Sequence, residues 1–235
     1  MMEPSGQQSS RKIWAVVPAK AFVSAKQRLS GVLGDWERAE LARTMFQDVL
    51  ATLFATPRIA EVLVVTSDAE VARLATDAGA RIVNDDGKSG LNHAVALGRA
   101  VASAEAVDVL IVPTDVPFAT IDEVNAVIDR LYDHDVVLVP ALSDGGTNAV
   151  GLRLGTDFTP RFGEDSFVRH QADATRHGIR LYVSRLEGLE WDIDCAADLT
   201  VPEHVRAGNR TANFLRQFAV SRRTLTDIQT RIHTL

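Results

Sequence analysis

The sequence predicts a single α/β domain with a mostly parallel, Rossmann-like central sheet and helices on both faces. Short β-rich runs alternate with amphipathic stretches, the pattern of a sheet wrapped by helices. The run DVLIV at 108–112 is apolar enough for a central parallel strand buried on both faces. A chain of 235 residues that is 46% hydrophobic and 24% charged can bury one such core without disulfides or metals.

The first strand is expected at 13–17 (IWAVV), ended by Pro18. A polar loop through Ser30 leads to a helix starting near Asp35, in which Leu41, Met45, Val49 and Leu53 form one apolar stripe. A second strand at 61–66 (EVLVVT) runs into a helix capped by Ser67 or Asp68 and closed at Gly79. A short strand at 81–83, a loop at 84–90 and a helix at 91–103 precede the central strand. Beyond it come a helix at 121–132, a strand at 136–139, a glycine-bearing loop at 143–146 and a strand at 148–153. A helix at 166–177, a strand at 179–183, an extended segment at 191–194 and helices at 196–207 and 222–233 complete the expected order. Three regions follow: a disordered polar tail at 1–12, one domain at 13–209, and a helical extension at 210–235 that packs on the domain or a partner subunit.

A net charge of −6 argues against a nucleic-acid binder, because phosphate-backbone binding needs a clustered basic surface. The polar opening lacks the apolar core of a signal peptide and no later run is long enough for a membrane span, so no membrane association is expected. The single cysteine, Cys195, allows no internal disulfide and fits a reducing compartment, with the cytoplasm as the expected location.

The most informative constellation joins Asp115 in VPTDVPF to Asp192 and Asp194 in WDIDCAADL. Asp115 directly follows the central strand's carboxyl end, where open α/β sheets bind ligands. Extended backbone at 191–194 would turn Asp192 and Asp194 to one face. Converging carboxylates repel unless a cation lies among them. Mg2+ suits the set, since it takes one or two carboxylates and completes its shell with water and substrate phosphate oxygens. The plainer alternative makes these aspartates turn, solvent-facing or helix-capping groups; Asp198 is read as an exposed helix residue.

VPAKAFVSAKQRL puts Lys20, Lys26 and Arg28 in the loop after the first strand, on the sheet edge expected for Asp115. Cations there can neutralise a triphosphate and stabilise charge developing at phosphorus; a solvated charge run is the alternative. No Walker pattern or GxGxxG occurs. Gly90, Leu91 and Asn92 open the helix before the central strand, where free N–H groups and the Asn92 amide can meet base, ribose or phosphate, or simply start a helix. SDGGTNAVGLR and RFGEDSFVRH suit phosphate or carboxylate binding near a helix start, and turn chemistry explains them equally. His170 and His177 are read as surface or groove residues, and neither Cys195 nor any serine has a triad-like context.

Taken in order, VPAKAFVSAKQRL, GLNHAV, VPTDVPF, SDGGTNAVGLR, RFGEDSFVRH and WDIDCAADL resemble the segments of the F420-pathway guanylyltransferases, the CofC/FbiD family. The resemblance implies a single-domain nucleotidyltransferase fold, GTP and Mg2+. It also implies a small phosphorylated acid as acceptor: 2-phospho-L-lactate, phosphoenolpyruvate or 3-phospho-D-glycerate. By position it makes Asp115, Asp192 and Asp194 metal ligands and Thr147, Gly163 and Ser166 acceptor-binding residues. Lys26 and Arg28 match the family's basic loop as catalytic groups, and Lys20, Gly90, Leu91 and Asn92 are the nucleotide-binding positions. A molybdopterin- or sugar-phosphate-type nucleotidyltransferase is a rival, although the first loop lacks their glycine-rich pattern. A non-catalytic nucleotide-binding regulator is another. A homodimer is the expected assembly.

Overall fold

A computed structural model describes residues 13–86, 90–142, 144–203, 205 and 207–219. Seven strands form one sheet in the order β3-β2-β1-β4-β6-β5-β7. They are β1 Ile13–Pro18, β2 Ile59–Thr66, β3 Arg81–Asn84, β4 Asp108–Ile111, β5 Val136–Pro140, β6 Thr147–Leu152 and β7 Leu181–Val183. All adjacent pairs are parallel except those that β6 makes with β4 and β5. Reversing β6 brings its first residues, Thr147 and Asn148, to the edge where parallel β4 ends.

Both faces of the sheet are covered, as alternation along β1 requires. Ile13, Ala15 and Val17 join the core beneath α1 (Asp35–Ala55) and α4 (Ile121–Arg130). Trp14 and Val16 join the other, beneath α3 (Gly90–Ala104) and α5 (Ser166–Arg176). Helix α3 lies so close to β1 that a Cβ on Gly98 would stand 2.4 Å from a Val16 methyl carbon. The predicted α1 stripe is buried, widened by Ala42, Phe46 and Leu50. Asp68 caps α2 (Ala69–Asp77) by accepting from Val71 N–H at 2.9 Å. No described helix is long and apolar enough to cross a membrane.

The C-terminal third departs from expectation. The helix expected at 196–207 is only a 3₁₀ turn at Ala196–Asp198, and Pro202, which has no N–H, follows in irregular chain. A short helix at Glu187–Glu190, α6, was not anticipated. The tail at 1–12 and the helix expected at 222–233 lie outside the described residues, as do 87–89 and 143 of the two expected loops.

Residues 210–219 form a final helix, α7, whose Ala212 and Leu215 enter the α1 core. Its N–H groups are capped twice. Asn209 Oδ1 accepts from Ala212 N–H at 2.7 Å, and the buried Asp48 carboxylate accepts from Arg210 and Thr211 N–H at 3.0 and 2.7 Å. Asp48→Ala should strip both bonds and cost about 2–3 kcal/mol, read as a lower urea midpoint with α7 fraying first in hydrogen exchange. An unchanged midpoint would mean that α7 needs no cap from α1.

Candidate functional site

Strands β1 and β4 are parallel neighbours, so their following loops leave the same edge. Val112 N–H still bonds to Val16 O at 3.0 Å beyond the end of β4. Four residues later along the first of these loops than Phe22, Lys26 adopts a left-handed backbone (φ 52) between two 3₁₀ turns, held down by buried Phe22 and Leu29. Its side chain is thereby sent inward.

Lys26 Nζ donates to Asp115 Oδ2 at 2.8 Å and to Asp194 Oδ1 at 2.5 Å, with only 9% of its side chain exposed. Burial opposes the ammonium's charge, but the two carboxylates outweigh it and hold the Lys26 pKa above its usual value. Arg28 stands at the rim, with Nη1 3.9 Å from Asp194 Oδ2. Lys20 and Leu91 line the same cleft, of about 340 Å³.

The two acidic segments are sewn together by backbone. Ile193, fully buried, donates its N–H to Asp115 O at 3.1 Å. Asp198, expected to be a free helix residue, instead accepts from Asp194 and Cys195 N–H at 2.9 and 2.7 Å and so fixes the turn carrying Asp194. Asp192 is buried and accepts from Asn148 Nδ2 at 3.1 Å, while Asn148 also donates to Glu190 O at 2.9 Å. Burial first, then Asp115 and Asp194, push the Asp192 carboxyl up to about 6 despite the Asn148 bond.

All three predicted carboxylates therefore interact, but Lys26 bonds only two of them. The third, Asp192, is raised first by its burial and then by the two neighbouring carboxylates, and an all-oxygen donor set suits a hard divalent cation. Sequence reasoning missed Asn148, whose only signal was an amide at the start of a strand that continues with small and apolar residues.

The three positions assigned to an acceptor also meet. Ser166 Oγ donates to Thr147 Oγ1 at 3.2 Å, both residues being buried, and Gly163 O accepts from Ser166 N–H at 3.0 Å. Gly163 has φ 133, a conformation side chains rarely adopt. Asn92 joins this loop rather than the cleft: its amide donates to Phe162 O at 3.1 Å and accepts from Phe162 N–H at 2.8 Å. Both ends of that side chain are occupied. Gly90, at φ 77, starts α3 beside it. Asp85, Asp86 and His93 each offer a ligand atom within 4.8 Å of one another, a grouping that no motif signalled.

His170, read from the sequence as a surface or groove residue, is buried. It is 2% exposed, packs against the Phe158 and Phe162 rings at centroid distances of 5.4 and 6.2 Å, and lies with Nδ1 3.0 Å from Thr147 Oγ1. His177, by contrast, is exposed and, among the described residues, bonds Asp173 of its own helix. Burial, then the Arg169 and Arg161 charges, lower the His170 pKa from 6.5 to about 4 against a smaller opposing effect of Asp173. The unfolded chain then binds more protons than the folded one between these values, so stability falls as pH drops from 6.5 towards 4. The loss should be on the order of 3 kcal/mol and should shrink in His170→Asn, as urea unfolding at pH 7.5 and 4.5 would show. Equal losses in both proteins would assign the acid lability to other groups.

The family model described as "Guanylyl transferase CofC like" matches residues 13–233. A 3-phospho-D-glycerate guanylyltransferase of Phenylobacterium zucineum is 35% identical over 205 residues, 86% of this chain and 94% of that protein. A phosphoenolpyruvate guanylyltransferase of Sphaerobacter thermophilus is 39% identical over 186 residues, 79% and 89% of the two chains. A 2-phospho-L-lactate guanylyltransferase of Methanothermobacter thermautotrophicus is 33% identical over 188 residues, 80% and 82%. Among solved structures, a nucleotidyl transferase from Methanothermobacter thermautotrophicus superposes with a TM-score of 0.59 at 18% identity, covering 80% of this chain and 94% of that one. At that identity the likeness concerns the fold.

Proposed function

The chain belongs to the CofC-like guanylyl transferase family, and from that premise we propose that it transfers the guanylyl group of GTP to the phosphate of a small three-carbon phosphorylated acid. The acceptor class comprises 3-phospho-D-glycerate, phosphoenolpyruvate and 2-phospho-L-lactate, the acids named for its relatives, and the reaction serves coenzyme F420 biosynthesis. The observation that carries the chemistry is the convergence of Asp115, Asp192 and Asp194 with Lys26 at the carboxyl edge of β1 and β4.

An acceptor phosphate oxygen attacks the α-phosphorus of GTP; the new P–O bond forms as the bond to the β-phosphate oxygen breaks, and pyrophosphate leaves. A phosphate dianion is already nucleophilic at neutral pH, so no protein base is required. The chain's work is to hold two polyanions together and to meet the charge gathering on the α-phosphate. Lys26 supplies that charge from within the cleft and Arg28 from its rim.

Asp115, Asp192 and Asp194 would hold Mg2+, which when bound supplies positive charge against the triphosphate. Thr147, Ser166 and the Gly163 backbone receive the acid, while Lys20, Gly90 and Leu91 flank the nucleotide. Asn92 braces the acid-binding loop through Phe162 rather than reading the base. Both substrates are small, charged cytoplasmic metabolites, and we assign the protein to that compartment.

The test is pyrophosphate release from GTP by the full chain with Mg2+ and each of the three acids in turn. Release with one acid, and its guanylylated product by mass spectrometry, is expected. Release with none of them, or with ATP and CTP as readily as with GTP, would overturn the proposal.

A further inference from the structure

The hydrogen bonds behind Thr147 run in one direction, from Arg161 N–H to His170 and from His170 to Thr147. Arg161 N–H lies 2.8 Å from His170 Nε2, and a backbone N–H can only donate, so Nε2 carries no proton. A neutral imidazole must then carry its proton on Nδ1, which is 3.0 Å from Thr147 Oγ1 and donates to it. Ser166 Oγ supplies a second donor to the same oxygen at 3.2 Å. With both lone pairs occupied, Thr147 has only its own O–H left, and among the described residues nothing accepts it. Reversing the Thr147–Ser166 bond moves the spare proton to Ser166, so the pair presents one donor in either case.

We infer that His170 is a positioning residue for the acceptor acid: by donating to Thr147 it commits the Thr147–Ser166 pair to offering an O–H to an anionic oxygen, carboxylate or phosphate, of that acid. The inference rests on the reading of Thr147 and Ser166 as acceptor-binding, and it adds a residue that itself touches no substrate. The setting keeps the imidazole neutral. Phe158 and Phe162 flank the ring, and of the nearby charges Arg169 and Arg161 disfavour a second proton more than Asp173 favours it. The Arg161 bond also ties the acid-binding loop to α5, so one side chain sets both the loop's position and the direction of its donor.

The experiment compares His170→Phe, which keeps a ring and removes both nitrogens, with His170→Asn, whose amide can donate from near the Nδ1 position. The KM for the acid should rise about ten-fold or more in His170→Phe, the usual weight of a hydrogen bond to a charged group. The KM for GTP should stay near the wild-type value, and His170→Asn should recover most of the loss. In parallel, long-range 1H–15N correlation on the wild-type protein should show His170 protonated at Nδ1 and bare at Nε2. An unchanged acid KM in His170→Phe, an equal rise in both of its KM values, or a proton on Nε2 of the wild type would each overturn the inference. Should His170→Phe not fold, His170→Gln, whose amide reaches the Nε2 side and not the Nδ1 side, takes its place with the same expected rise in acid KM, and the nitrogen spectrum still decides. If the wild type releases no pyrophosphate with any acid, the guanylyltransferase reading falls on its own, and the nitrogen spectrum still tests the bond to Thr147.

Discussion

Asp115→Asn is expected to lower kcat for pyrophosphate release by about a thousand-fold while leaving the protein folded, the scale seen when a preorganised charge facing a transition state is removed. Asparagine keeps the shape of the side chain and the backbone bond from Ile193 N–H to residue 115. What it removes is one negative charge from a set of three. Lys26 then loses the partner at 2.8 Å that orients it, and a divalent cation loses an anionic ligand at the end of β4. Both deficits bear on the reaction and hardly on the core, because a quarter of the Asp115 side chain is open to the cleft. Steady-state kinetics at saturating GTP, with circular dichroism as the control for folding, would check it. Turnover within a few-fold of wild type would remove Asp115 from the reaction and return it to the role of a turn residue.

The placement of Asp115 was readable because it needs only local information: an apolar run long enough for a central strand, and the rule that ligands lie beyond such strands' carboxyl ends. The α1 stripe and the Asp68 cap are local in the same sense. What was not readable depends on partners far apart in sequence. Lys26 meets Asp115 and Asp194 across 89 and 168 positions, and Asp48 caps α7 from 162 positions away. His170 reads from the sequence as a surface or groove residue because no metal-ligand pattern surrounds it; only folding α5 against the start of β6 shows that Thr147 and Arg161 satisfy both ring nitrogens. The helix misread at 196–207 has a local cause that periodicity hides: Asp198 spends its carboxylate closing the turn behind Asp194, and Pro202 cannot extend a helix. The pairing of Asp192 and Asp194 was anticipated, but not that Asn148 would hold one and Lys26 the other.

Lys26→Met should separate the two tasks of this side chain, since methionine keeps most of its length and none of its charge. In the absence of divalent cations Lys26 makes Asp115's one ion pair among the described residues, and Asp194 keeps only Arg28, 3.9 Å away and largely exposed. Removing the ammonium leaves three carboxylates facing one another, which should lower stability by about 1–3 kcal/mol, less than for a fully buried pair because Asp115 and Asp194 are partly solvated. The same ammonium occupies the carboxylate oxygens that Mg2+ would take. Mg2+ should therefore raise the Tm of Lys26→Met by more than it raises the Tm of the wild type, and bind it more tightly in calorimetry. Turnover should nevertheless fall about a hundred-fold even at saturating Mg2+, because the α-phosphate then loses the cation inside the cleft and keeps from the β1 loop only Arg28 at its rim. A smaller Mg2+ response in the variant than in the wild type would mean that Lys26 helps to build the metal site rather than competing for it. Near-normal turnover would leave it a purely structural counter-charge.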